Sequence, residues 1–123
     1  NGGIWPPHCV QNTQGAGLAG CIAAHLSREG VYYYRKGTDS RKEQYGAFED
    51  LTPDDPLYAV FGQSDAIDVC GIAGDYCVKE TLSRLISLGF KDKLTVLMGL
   101  TASIDDGSAL KAFVEENNIN YEQ

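Results

Sequence analysis

Positive charge is scarce in this chain. Ten Lys and Arg stand against 17 Asp and Glu, for a net charge of −7. That balance opposes nonspecific binding to nucleic acid or to an anionic membrane surface, both of which need a basic patch. Long apolar runs are missing too. The longest clean one, Leu94 to Leu100, includes Thr95, whereas a membrane-spanning helix needs about 20 apolar residues. Cysteine is limited to Cys9, Cys21, Cys70 and Cys77, and no two of them have the close spacing of a zinc site. The even number permits two disulfides. Ordinary cysteine density and no visible secretory leader favour free thiols in a reducing, cytoplasmic setting instead. No repeat, low-complexity tract or linker breaks the chain. Its 123 residues, 43% apolar and 22% charged, have the size and composition of one globular domain.

The opening segment also lacks something. Asn1-Gly2-Gly3-Ile4-Trp5 has no Met, and no basic stretch leads into an apolar core. It reads as the middle of a loop, so the expectation is a polypeptide that continued upstream.

What is present alternates between strand and helix patterns. Pro6-Pro7 and the Gly15, Gly17 and Gly20 cluster indicate loop, with a short helix over Cys21 to Arg28. Val31-Tyr32-Tyr33-Tyr34 has strand composition. Thr52-Pro53 predicts a helix start, running to about Gly62. Ala66 to Ala73 reads as a buried strand, and Gly74-Asp75 turns it into a helix over about Tyr76 to Leu88. On that helix Val78, Leu82, Leu85 and Ile86 form one apolar stripe. Lys79, Glu80, Ser83 and Arg84 face outward, with Glu80 and Arg84 as an i, i+4 pair. Gly89 is placed as a C-cap. Leu94 to Leu100 is the next strand, Asp105 or Asp106 caps a helix to about Asn117, and Ile119 to Tyr121 forms a last short strand. This order predicts βαβ units on a parallel sheet with right-handed crossovers. Function in such sheets gathers at the carboxyl ends of strands. Lys36, the Gly71 to Cys77 turn and Thr101 to Asp105 fall at those ends.

Cys77 lies near the N-terminus of a helix that directly follows a strand. Backbone N–H groups and the helix dipole favour a thiolate there, and the same donors can receive an oxyanion. On placement alone it is equally a small buried apolar residue. Lys36 would project its ammonium above the sheet and lower a nearby thiol's pKa, or simply be solvated. His8 sits in a segment stiffened by two prolines, which suits a metal ligand. One His is a poor metal site by itself, and a hydrogen-bonded loop His fits as well. Asp39, Asp105 and Asp106 read as turn and capping residues.

Three segments together resemble a known family. Trp5-Pro6-Pro7-His8-Cys9-Val10 resembles the W-P-P-H-C-V segment of nicotinamidases. Lys36-Gly37-Thr38-Asp39 with Tyr45-Gly46-Ala47-Phe48 resembles their K-G segment and downstream Y-S-x-F. Val69-Cys70-Gly71-Ile72-Ala73-Gly74-Asp75-Tyr76-Cys77-Val78 is similar to their G-x-A-T-D-Y-C-V turn. Order and spacing agree along the whole chain, so it is identified with the isochorismatase-like cysteine hydrolases, nicotinamidase (pyrazinamidase) branch.

The resemblance implies a three-layer α/β/α sandwich around a mainly parallel sheet. Residues 1–123 would be the C-terminal two-thirds of one hydrolase domain, lacking its first, central strand. It implies Cys77 as nucleophile, Lys36 beside it, and the amides of Ala73 and Cys77 as oxyanion hole, helped by a cis Ile72–Ala73 peptide. Trp5, Tyr45 and Tyr76 would line the ring pocket. His8 would be one ligand of a divalent metal, Zn in the first instance and Fe or Mn otherwise. The family's catalytic Asp and its other metal ligands belong to sequence upstream of W-P-P-H-C, so an N-terminal segment or companion chain would supply them. Departures are Gly74, where Thr is usual, and Gly99, where Asp is common. The implied activity is deamidation of nicotinamide to nicotinate in NAD salvage, with a small amide as substrate and a homo-oligomer as a compatible state. Another small amide or carbamoyl substrate is the alternative, as is an inactive fragment or binding module.

Overall fold

The computed structural model describes residues 4–123. They fall into two compact units, divided between Gln44 and Tyr45.

The first unit is mostly turns. Its only α-helix among the described residues is one turn, α1 (Gly20–Ala23), shorter than the span expected to Arg28. Ala19 offers no side-chain cap, and so short a helix has little cooperativity of its own. Val31 to Tyr34 is not a strand, contrary to expectation: no ladder bonds reach it, and Tyr32 is 61% exposed. Aromatic and β-branched residues favour strands by packing on a pleated neighbour, which this run does not have. Asp39 does act as a turn residue. Its Oδ1 accepts the Arg41 N–H at 2.9 Å, and its carboxylate pairs with the Arg41 guanidinium at 2.9 Å. The Arg41 hydrogen bonds hold this carboxyl below its ordinary range.

The second unit opens on α2 (Pro56–Gln63), one turn later than expected. Asp55 is the N-cap and its Oδ1 accepts the Leu57 N–H at 2.9 Å. A start at Pro53 would have placed Pro56 inside the helix, where its missing N–H and its ring are not tolerated. Three strands follow: β1 (Ile67–Ile72), β2 (Leu94–Ala102) and β3 (Asn120–Glu122), all parallel in the order β1-β2-β3. Val69 pairs with Val96 and Thr95 with Asn120, and the β1–β2 register slips between Val69 and Gly71. Helices α3 (Lys79–Ser87) and α4 (Ser108–Glu116) complete the α/β unit. Leu82 and Leu85 of α3, Leu94 and Val96 of β2, and Leu110 and Val114 of α4 are fully buried together. Side chains alternate along β1: Ile67 and Val69 pack against this core, while Asp68, Cys70 and Ile72 are exposed.

Gly89 ends α3 as expected, at φ +92, with Phe90 N–H bonded to Leu85 O at 3.0 Å. Arg84 does not face outward to Glu80. Its guanidinium donates to the carbonyls of Phe48 (2.9 Å), Glu49 (3.2 Å) and Leu51 (3.1 Å). The segment before α2 has carbonyls to satisfy, and a planar fork of donors meets three of them at once. Lys93 does the same for the end of α2, with Nζ at 3.4, 2.6 and 2.8 Å from the carbonyls of Phe61, Gly62 and Ser64. Gly99 approaches the end of β3 closely. A Cβ there would lie 3.1 Å from the backbone carbon of Gln123.

Candidate active site

β1 delivers the chain to a peptide, Ile72–Ala73, that is cis. The Ala73 carbonyl then accepts the N–H of Tyr76 at 3.1 Å and of Val78 at 3.0 Å. The second bond spans five residues, so Gly74–Val78 forms a turn wider than an α-helix, and regular helix begins at Lys79 rather than Tyr76. Such widened turns recur at functional sites. Cys77 sits inside it, half-buried, whereas Cys9, Cys21 and Cys70 are exposed; all four are free thiols.

Two neighbours fix this turn. Asp75 is buried, and its carboxylate accepts the N–H of Ile104 and of Asp105, each at 3.0 Å. Burial pushes its carboxyl up. Those two amides, its own N–H and the Lys79 charge outweigh that and hold it below its ordinary value. The loop after β2 is thereby tied to the Cys77 turn. The N-cap of α4 is Gly107 rather than Asp105 or Asp106, but Asp105 accepts from Gly107 N (2.8 Å) and Ala109 N (3.0 Å), and Asp106 from Ser108 N (3.1 Å), so both acids still serve its start. The second neighbour is the Tyr45–Ala47 segment. The Tyr45 and Tyr76 rings are 5.4 Å apart and tilted by 49°. Ala47 N–H donates to Thr81 Oγ1 at 3.0 Å, and the Thr81 hydroxyl donates to the Cys77 carbonyl at 2.7 Å. The second unit therefore brings together Tyr45, Ala73, Tyr76 and Cys77. Asp75 and Thr81 were missed as site residues. An acid closing an apolar strand was the signal for the first. The second carried none beyond its i+4 spacing from Cys77.

Trp5, His8 and Lys36 belong to the first unit. Trp5 is half-buried, and His8 and Lys36 are exposed. His8 Nδ1 is 2.8 Å from the Pro6 carbonyl. A carbonyl only accepts, so Nδ1 is the donor in this contact. Among the described residues no group of three or more His, Cys, Asp or Glu could hold a metal ion. His8 alone does not make a site.

No family model matches the chain. It is 32% identical to the nicotinamidase of Saccharomyces cerevisiae, over 95% of this chain and 57% of that protein. It is also 32% identical to the nicotinamidase/pyrazinamidase of Mycobacterium tuberculosis, over 96% and 61%. The solved yeast nicotinamidase superposes with a TM-score of 0.77 over 96% of this chain and 57% of that one. A protein of L. infantum solved with nicotinate gives 0.76 at 30% identity, over 97% and 60%. The pyrazinamidase of Pyrococcus horikoshii, solved with zinc, gives 0.70 at 27% identity, over 97% and 63%.

Along nearly its whole length the chain is thus similar to nicotinamidases and pyrazinamidases. It spans about three-fifths of the length of the curated relatives it matches. Gly74 stands where the nicotinamidase segment it resembles usually has Thr, and space for a side chain is short there. A Cβ at 74 would run into Ser103 Oγ and lie 3.1 Å from both Leu110 Cδ2 and Thr101 Cγ2. Gly74→Ala should therefore lower stability by about 1–3 kcal/mol, the usual cost of overpacking. Adding Ser103→Ala should recover part of that loss in thermal unfolding. A Gly74→Ala protein as stable as the parent would contradict this packing.

Proposed function

We propose that this chain is the nucleophile-bearing part of an enzyme that hydrolyses nicotinamide to nicotinate and ammonia, within NAD salvage. The observation that carries the reading is Cys77, held in a widened turn at the carboxyl end of a parallel strand with the Tyr45–Tyr76 ring pair beside that turn. In this reading the Cys77 thiolate attacks the amide carbon, and the carbonyl electron pair moves onto oxygen. The N–H groups of Ala73 and Cys77 donate to that oxyanion. Collapse breaks the C–N bond, and the nitrogen takes a proton and leaves as ammonia. Water then attacks the thioester carbon, the C–S bond breaks, nicotinate leaves and the thiol is restored. Lys36 supplies positive charge that favours the thiolate. Trp5, Tyr45 and Tyr76 offer aromatic surface for the pyridine ring.

His8 contributes one donor to a divalent metal, by analogy with the zinc-bound pyrazinamidase. We assign its other donors, and the Asp that moves the proton, to sequence preceding residue 1 or to a companion chain. Residues 1–123 are then a stretch of one hydrolase domain, and the free thiols accord with a cytoplasmic setting. The test is to supply nicotinamide to the full-length protein and measure nicotinate and ammonia, expected in equal amounts. Nicotinaldehyde, which inhibits the yeast nicotinamidase, should shield Cys77 from alkylation and leave Cys70 reactive. Ammonia released from carbamoyl compounds with none from nicotinamide would overturn the reading.

A further inference from the structure

Resting on the nicotinamide reading above, we infer that Thr81 is a positioning residue. Its hydroxyl joins the turn that carries Cys77 to the segment that carries Tyr45, and so sets the spacing between the nucleophile and the ring-binding tyrosines. A threonine within a helix often turns its hydroxyl back to the carbonyl four residues earlier, and Thr81 does so to Cys77 at 2.7 Å. What is particular here is the second partner. The same oxygen accepts the Ala47 N–H at 3.0 Å, from a residue 34 positions away. The result is a directed relay, Ala47 N–H to Thr81 O–H to Cys77 carbonyl, in which each bond polarises the next.

The contact surface makes this relay specific. Gly46 is buried against α3, and a Cβ there would lie 3.0–3.1 Å from the Glu80 backbone carbon, its oxygen and its Cβ. The Tyr45–Ala47 segment thus approaches α3 closely enough to reach Thr81. Tyr45 leads directly out of this contact to the Tyr76 ring at 5.4 Å. Cys77 has independent support from the two bonds to the Ala73 carbonyl on either side of it. Losing the relay should therefore loosen Tyr45 more than it displaces the thiol.

The experiment compares Thr81→Val, Thr81→Ser and Gly46→Ala in the full-length protein. Valine keeps the shape and removes both hydrogen bonds, so KM for nicotinamide should rise about three- to tenfold, the equivalent of one net hydrogen bond, with kcat within about twofold. Serine keeps the hydroxyl and should return KM to within about twofold of the parent. If the valine variant fails to fold, Gly46→Ala pushes the same segment off α3 with Thr81 intact and should give the same rise in KM. An unchanged KM in Thr81→Val or Gly46→Ala, with the parent active, overturns the inference alone. So does a serine variant as impaired as the valine one. A parent that releases no ammonia from nicotinamide overturns the nicotinamide reading and the inference with it.

Discussion

If Cys77 is the nucleophile proposed above, replacing it by Ala should abolish nicotinamide hydrolysis, with kcat/KM falling at least about 10³-fold, because the acyl-enzyme route goes with it. Serine should rescue little. It keeps the shape of the side chain but not a group that ionises near neutral pH. The control is Cys70→Ala. Cys70 lies seven positions earlier on the exposed face of β1, and its loss should leave turnover within about twofold, as for a surface change remote from the reacting atoms. Nicotinate formation measures both, with circular dichroism to show that each variant folds. Turnover surviving in Cys77→Ala would remove the assignment, whatever the behaviour of Cys70.

Asp75→Ala should cost about 1.5–3 kcal/mol in unfolding by urea, the range for hydrogen bonds to a charged group. Two backbone donors, Ile104 N–H and Asp105 N–H, lose their acceptor together. Ile104 and Asp105 are themselves exposed, so water takes over part of the loss and the figure stays below that of a fully buried pair. The effect should depend on pH. The carboxyl lies below its ordinary value of 3.8 in the folded protein. Its contribution is therefore complete above that ordinary value and is lost as pH falls through the lower folded one. The stability gap between parent and variant should be full at pH 7 and close in acid below about pH 4. A gap that stays constant down to strong acid would mean that the charge is not what holds the loop. Activity should fall as well, since the same carboxylate ties the Ser103–Gly107 loop to the Cys77 turn.

The sequence was most readable where local chemistry and tertiary packing agree. The apolar run Ile67 to Ile72, the Gly-Asp punctuation after it and the Val78, Leu82, Leu85 stripe all point to strand, turn and buried helix, and the structure has all three. The widened turn at Gly74–Val78 was not readable, because it depends on which carbonyl the Val78 N–H reaches rather than on side-chain type. At Thr52 to Pro56 two cap-and-proline pairs compete, and only the steric demand of the later proline decides between them. Val31 to Tyr34 has strand composition without a ladder partner, and composition cannot supply one. Arg84 sits on the polar side of α3 by periodicity. Its role comes from three carbonyls 33 to 36 positions away. Gly74 read from sequence as a residue that loosens its turn; its crowding by Ser103, Leu110 and Thr101 is tertiary, and pattern along the chain does not relate them.

Lys93 has a practical consequence for anyone attaching a dye or a surface to this protein. Its ammonium carries three protons and faces three carbonyls at the end of α2. Amine-reactive esters attack only a neutral, unbound amine, so this lysine should be acylated after those in open solvent, such as Lys111. Once acylated it keeps a single N–H and no charge, and two of the three carbonyls lose their partner. Coupling carried to completion would thus fray the end of α2 from within, while brief coupling at low reagent excess would leave that helix end intact.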